Sequence, residues 1–327
     1  MADLSVTYMG LPLKNPIVVG SSSLTKSLDG VRRCEDAGAG AIVLKSLFEE
    51  QIEGEIRQAE REASPYEHPE AFDYVRQTAL HLSEDKYLRL IEDAKAAVSI
   101  PVIASLNCVS PEWWTTYASK IAKAGADAIE VNIAIMPSDL KHSAKEIEAI
   151  YARIIEGIRR RVQLPIAVKI GPYFTALPQT ARSLSSAGAT ALVLFNRFYQ
   201  LDIDIEKMHL THGYHFSSPH EIHVPLRWIA ILSALVGCEL AASTGIHDGA
   251  GVIKQLLAGA RVVQVCSVLY QEGLGRVGGM LSEISDWMDR HGFTVMDEFR
   301  GRMSMELSDQ PEFYERLQYI RIFSGVD

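Results

Sequence analysis

Three things are scarce in this sequence. No apolar run approaches the ~20 residues that cross a bilayer. Cysteine is sparse: four residues, at 34, 108, 238 and 266, with no CxxC pair among them. That spacing excludes zinc ribbons and an iron–sulfur cluster built within this chain, and no metal site is expected. The cysteines read instead as buried or free thiols of a reducing compartment. Positive charge is the third scarcity. Lys plus Arg is 32 against 41 for Asp plus Glu, a net charge of −9, which argues against broad contact with nucleic acid or an anionic membrane. The opening MADLSVTYMG has neither a basic segment nor an apolar one of signal-peptide type, so a cytoplasmic protein is expected.

What is present is a repeat. Ala-Gly-Ala occurs at 37–39, 124–126, 187–189 and 258–260. Each copy precedes a short β-branched run: AIVLKS (41–46), AIEVNI (128–133), ALVLFN (191–196) and VVQVCS (262–267). A second series alternates with the first: NPIVVG (15–20), IPVIAS (100–105), LPIAVK (164–169) and CELAAS (238–243). Runs this short and continuously apolar suit parallel strands buried on both faces. Gly supplies the left-handed turn that ends a helix, and its small neighbours allow a tight return to the sheet. Helical patterns fill the gaps, among them Leu28–Ala37, Ser143–Val162 and Gly249–Ala258, with Ser143 and Glu146 spaced as a capping box.

Eight strand–helix units in 327 residues point to an α/β fold, a single (β/α)8 TIM barrel over 1–327. The doubly wound alternative needs a G-x-G-x-x-G turn after its first strand, and GSSSLTKS stands there. SVTYMGLPLKNP reads as a short hairpin closing the N-terminal face. Long segments follow the second strand (47–83) and the sixth (197–223), on the side where barrels carry function.

The strand ends collect polar residues: Gly20, Ser21 and Ser22; Lys45 and Ser46; Ser105 and Asn107; Glu130 and Asn132; Lys169; Asn196 and Arg197; Ser243, Thr244 and Gly245; Cys266 and Ser267. Two lysines among apolar neighbours need partners or a ligand, and Glu130 is one possible partner. STGIHDGAG and CSVLYQEG fit the phosphate position of barrels, although tight turns alone also explain them.

In order, NPIVVGSS, AIVLKS, IASLN, AIEVNI, AVKIGPYF, LVLFN, STGI and VVQVCSVLYQEG resemble the dihydroorotate dehydrogenase family, including the related barrel domain of dihydropyrimidine dehydrogenase. The resemblance spans about 4 to 323 and implies an FMN-binding oxidoreductase acting on CH–CH groups, in pyrimidine metabolism. Gly20 and Ser21 fall where the family contacts flavin. Lys45 and Ser46 match its Lys-Ser pair, with Lys45 between flavin and substrate. Asn107 and Asn132 join the cofactor set, and Lys169 matches the lysine at the flavin N1–C2=O edge. Thr244, Gly245, Cys266 and Ser267 match the phosphate positions. Asn132 and Asn196 stand with Lys45 as the implied catalytic residues. Lys45, Asn196 and Arg197 would meet a small substrate, an anionic one among the candidates. A homodimer is implied, with the electron acceptor open.

The chain departs from the family on the substrate side. The family's Cys or Ser base after the fourth strand aligns with Ile135 or Met136, neither of which takes a proton. The family's substrate loop is replaced by the charged FEEQIEGEIRQAEREASPYEHPEAFDY, and the Ser after Asn196 by Arg197. FMN binding with poor dihydroorotate oxidation is therefore expected. Ser138, Cys108, Tyr173 or a histidine within 209–223 stands as the replacement acid. Arg197 either meets substrate or pairs with Asp202 or Asp204. The charges of 47–68 read as a solvated helix face, Trp113 and Trp114 as packing residues, and the histidines of the 209–223 stretch as lid residues. Two further readings stay open: a flavin binder that has lost its chemistry, and an FMN-free aldolase using Lys169 as a Schiff-base nucleophile.

Overall fold

A computed structural model of the chain describes residues 2–62, 85–107, 111–138, 140–197, 200–213 and 215–317. Residues 63–84 of the long second connection, Cys108 and the tail beyond 317 are among those outside these.

Eight parallel strands close into a ring. In chain order they are β3 (Ile17–Val19), β4 (Ala41–Val43), β6 (Val102–Asn107), β7 (Ala128–Asn132), β8 (Ile166–Ile170), β9 (Ala191–Leu194), β12 (Glu239–Ser243) and β13 (Val262–Val265). β13 pairs with β3, and β4 pairs with β6, which closes the barrel. The remaining labels follow the chain: hairpin β1 (Val6–Tyr8) and β2 (Leu11–Leu13), β5 (Leu47–Phe48), and hairpin β10 (Gln200–Asp204) and β11 (His209–Gly213). Helices α1 (Leu28–Asp36), α2 (Glu49–Glu62), α3 (85–97), α4 (Pro111–Lys123), α5 (Ala144–Arg159), α6 (Leu177–Ser186), α7 (His223–Leu232), α8 (Gly249–Ala258), α9 (Ser267–Glu272) and α10 (Arg276–His291) complete the set.

The Ala-Gly-Ala copies do what their chemistry predicts. Gly38, Gly125, Gly188 and Gly259 all have φ between +89° and +117°. The Ala after each donates back to the helix: Ala39 to Cys34, Ala126 to Ile121, Ala189 to Leu184 and Ala260 to Gln255. These bonds satisfy carbonyls that a helix end leaves open. Pro16, Pro101 and Pro165 open their strands without a donor, yet their carbonyls accept from Val263, Ile42 and Ile129 of neighbouring strands.

Hairpin β1–β2 sits at the strands' N-terminal ends, where the Met9 N–H donates to Glu239 at the start of β12. Tyr8 is buried there, its hydroxyl without a hydrogen-bond partner among the described residues. The second barrel strand is broken. β4 ends at Val43, and β5 resumes the pairing with β6 at Leu47. Tyr87 of α3 fills the gap: its hydroxyl donates to the Ser105 carbonyl and accepts from the Ser105 N–H. The break turns Lys45 and Ser46 out of the wall at the mouth.

Helix α2 takes up the first part of the charged segment. Trp114 is wholly buried, and Trp113 stacks on Tyr117 at 5.1 Å between ring centroids. The Ser143–Glu146 capping box opens α5. Among the described residues, no helix is long and apolar enough to cross a membrane.

Candidate active site

Side chains alternate along a strand, so every second residue points into the barrel. The registers keep one phase round the ring: Ser105 opposite Glu130, Asn132 opposite Lys169, Lys169 opposite Val193, and Ser243 opposite Gln264. The inward residues at the C-terminal ends therefore converge on one space. That space is a cavity of about 620 Å³, the size of a cofactor site.

Its floor is polar and ordered. Lys169 Nζ donates to Gln264 Oε1 at 2.8 Å, and Gln264 Nε2 donates to Glu130 Oε2. Lys169 Nζ also lies 3.9 Å from Glu130 Oε1. Thus Glu130 partners Lys169. The Lys45 ammonium makes no hydrogen bond or ion pair among the described residues, which leaves it available at the cavity wall. Asn132 Oδ1 is buried without a hydrogen-bond partner among the described residues. A chain of hydroxyls runs along one wall, Ser21 to Ser46 at 3.0 Å and Ser46 to Ser105 at 2.7 Å, and the Ser46 N–H donates to Ser21 Oγ at 2.8 Å.

The opposite end suits an anion. Thr244 and Gly245 are consecutive left-handed residues, φ 81° and 76°. Gly245 has no room for a side chain, since a Cβ would fall 2.2 Å from the Ile222 nitrogen. The loops after the seventh and eighth strands are where barrels commonly bind phosphate. Helix α9 opens at Ser267 beside them; its Leu269 N–H already bonds the Cys266 carbonyl, and the Ser267 and Val268 N–H groups precede the first helical acceptor. Asp248 caps α8 by accepting from the Gly251 N–H at 2.7 Å. Cys266 lines the same end, and burial pushes its thiol above the usual value.

Ser21, Lys45, Ser46, Asn107, Asn132, Lys169, Asn196, Arg197, Thr244, Gly245, Cys266 and Ser267 all line the cavity. Gly20 does not. Its N–H bonds the Val265 carbonyl, and a Cβ on it would meet the Gln264 side chain of the cavity floor at 3.6 Å. Arg197 pairs with neither Asp202 nor Asp204. Its Nε donates to Glu221 Oε1 at 3.0 Å and its Nη1 to the His215 carbonyl at 2.7 Å. The two aspartates lie on β10, in a hairpin that leads away, whereas Glu221 sits in the turn that returns to the mouth. Arg197 thereby ties segment 215–221 across the opening.

The aligned base position is empty of proton chemistry. Ile135 packs against the core and Met136 is exposed. Ser138 and Tyr173 lie outside the cavity lining, and Cys108 lies outside the described residues. Of the histidines, His209 is exposed on β11, the side chain of His212 is outside the described set, and His220 and His223 are exposed near the start of α7. His215 lines the cavity. Sequence reasoning missed Gln264, Glu221 and the stacked pair Phe216–Tyr270 at the rim, 5.2 Å between centroids.

The sequence matches the dihydroorotate dehydrogenase family over residues 3–288. It is 26% identical over 310 residues to the catalytic subunit of dihydroorotate dehydrogenase B (NAD(+)) of Thermoplasma volcanium, covering 92% of this chain and 98% of that one. It is 23% identical over 342 residues to chloroplastic dihydropyrimidine dehydrogenase (NADP(+)) of Arabidopsis thaliana, covering 96% and 80%. A putative dihydroorotate dehydrogenase A (fumarate) of Aeropyrum pernix is 24% identical over 306 residues, covering 91% and 97%. With 286 of 327 positions inside the family match and a closed (β/α)8 ring beneath it, the chain belongs to the dihydroorotate dehydrogenase family.

Proposed function

We propose that the protein is an FMN-dependent oxidoreductase that moves hydride between a CH–CH bond of a small cyclic or planar substrate and flavin. One observation carries the reading: a single cavity joins a lysine-bearing polar floor to an anion-binding end on strands β12 and β13. The residues present fit the group. Asn132 Oδ1 is a buried acceptor with no donor among the described residues, and a flavin ring N–H would supply one. Thr244, Gly245 and Ser267 would hold its phosphate, and Lys169 would sit against the ring edge that gains negative charge. Bound flavin supplies the two-electron acceptor.

The chain's own residues do the rest. Lys45, with no counter-ion among the described residues, would hold the anionic group of the substrate, with Asn196 beside it. Arg197, already committed to Glu221, would keep segment 215–221 over the site and limit access of water. We place proton transfer at His215, the candidate replacement for the missing base that reaches the cavity. Dihydroorotate would be a poor substrate, because the family's base position holds Ile135. We place the protein in the cytoplasm as a homodimer, since the β10–β11 hairpin leaves Leu201, Ile203 and Leu210 more than half exposed.

The test is steady-state turnover of FMN-loaded protein on dihydroorotate and on a panel of cyclic dihydro-compounds. The reading expects flavin reduction by one of the panel and slow turnover of dihydroorotate. Dihydroorotate turnover within about tenfold of a typical kcat of roughly 10 s⁻¹ overturns the substrate part.

A further inference from the structure

Three buried polar side chains from three strands form a chain at the cavity floor. Glu130 stands on β7, Lys169 on β8 and Gln264 on β13, the last from across the barrel. An ammonium only donates and a carboxylate only accepts. The amide between them therefore has one orientation, Nε2 toward Glu130 and Oε1 toward Lys169. The direct approach of Glu130 Oε1 to Lys169 Nζ, 3.9 Å, is too long for a hydrogen bond. That oxygen has no hydrogen-bond partner among the described residues. The carboxylate is 1% exposed and the ammonium side chain 12%, so water screens the pair poorly. A buried carboxylate with one unpartnered oxygen is costly to the fold. The barrel wall does not need it, because the backbone ladders of β7 are complete without that side chain.

We propose that Glu130 is a positioning residue for the redox chemistry of the site. Acting through Gln264, it fixes the Lys169 ammonium at the cavity floor and offsets its charge, which holds down the reduction potential of bound flavin. The inference rests on the flavin reading above. Hydride brings two electrons and one proton, so reduction adds one net negative charge beside Lys169. Lys169 favours that charge and Glu130 opposes it. The balance decides how readily the electrons leave again for an acceptor. The other charged or titratable side chains at the cavity are Lys45, Arg197, His215, Cys266 and Tyr270, none of which bonds to this chain of three.

The test is the two-electron midpoint potential of the FMN-loaded protein near neutral pH. It is read by equilibration with a dye of known potential, with xanthine and xanthine oxidase supplying electrons. Glu130→Gln keeps shape and removes charge. It is expected to shift the equilibrium about tenfold toward the reduced form, roughly 30 mV upward for a two-electron couple. Glu130→Asp keeps the charge and shortens the side chain, and is expected to leave the potential near that of wild type, which separates charge from packing. An unmoved potential in Glu130→Gln, or a Glu130→Asp shift as large as that of Glu130→Gln, overturns the proposal. Should Glu130→Gln not retain flavin, Glu130→Met, uncharged and of similar length, decides in its place, and the absence of an upward shift overturns it. Wild-type protein that takes up no FMN overturns the functional reading and this inference together; a yellow protein with unmoved potentials overturns this inference only.

Discussion

The hydroxyl of Tyr87 donates to the Ser105 carbonyl at 3.0 Å and accepts from the Ser105 N–H at 2.9 Å. A helix residue thus completes the ladder where β4 breaks and frees Lys45 for the cavity. Tyr87→Phe leaves two buried backbone groups without partners. We expect a loss of about 1–3 kcal/mol, read as a lower urea midpoint with an unchanged slope. An unmoved midpoint contradicts this role.

Gly245 packs against the backbone of Ile222, so Gly245→Ala forces a Cβ into the Ile222 nitrogen at a left-handed residue. We expect more than about 1 kcal/mol of destabilisation together with weakened FMN binding. Melting and flavin fluorescence titration check both. A variant that melts and binds like wild type removes Gly245 from the anion end.

Much of this arrangement is legible in the sequence, and the reasons are local. Ala-Gly-Ala and the strand-opening prolines act within a few residues, so the eight strands and their order follow from pattern alone. The polar strand ends follow from strand period. What is hidden depends on pairing across the barrel. Gln264 sits inside an apolar run, and nothing near it in sequence says that it meets Glu130, 134 positions away. Arg197 has two nearby aspartates, yet the hairpin carries them off and brings Glu221 back. Gly20, expected to contact flavin, packs against the Gln264 side chain beside the cavity.

His215→Gln is expected to lower kcat by roughly 10²–10⁴ on whichever compound reduces the flavin, with the flavin spectrum unchanged. Turnover equal to wild type would move the proton-transfer role to another residue.

His247 bonds Ser217 at 3.2 Å in a buried setting. Burial holds its imidazole below the ordinary 6.5, against the opposing pull of Glu272 and the Ser217 backbone. The unfolded chain therefore binds this proton first as pH falls. The stability that neutral His247 contributes is complete above about pH 6.5 and declines as pH drops below it. Chemical denaturation at about pH 7 and about pH 5.5 should show a smaller loss for His247→Gln than for wild type. Equal losses contradict the assignment.

The central claim is that this cavity holds FMN. The visible absorbance spectrum of freshly purified protein, with mass analysis of the released ligand, tests it most directly. The account predicts a yellow protein releasing about one FMN per chain. A colourless protein that takes up no added FMN, and whose Lys169 is trapped by borohydride with a carbonyl compound, would contradict it.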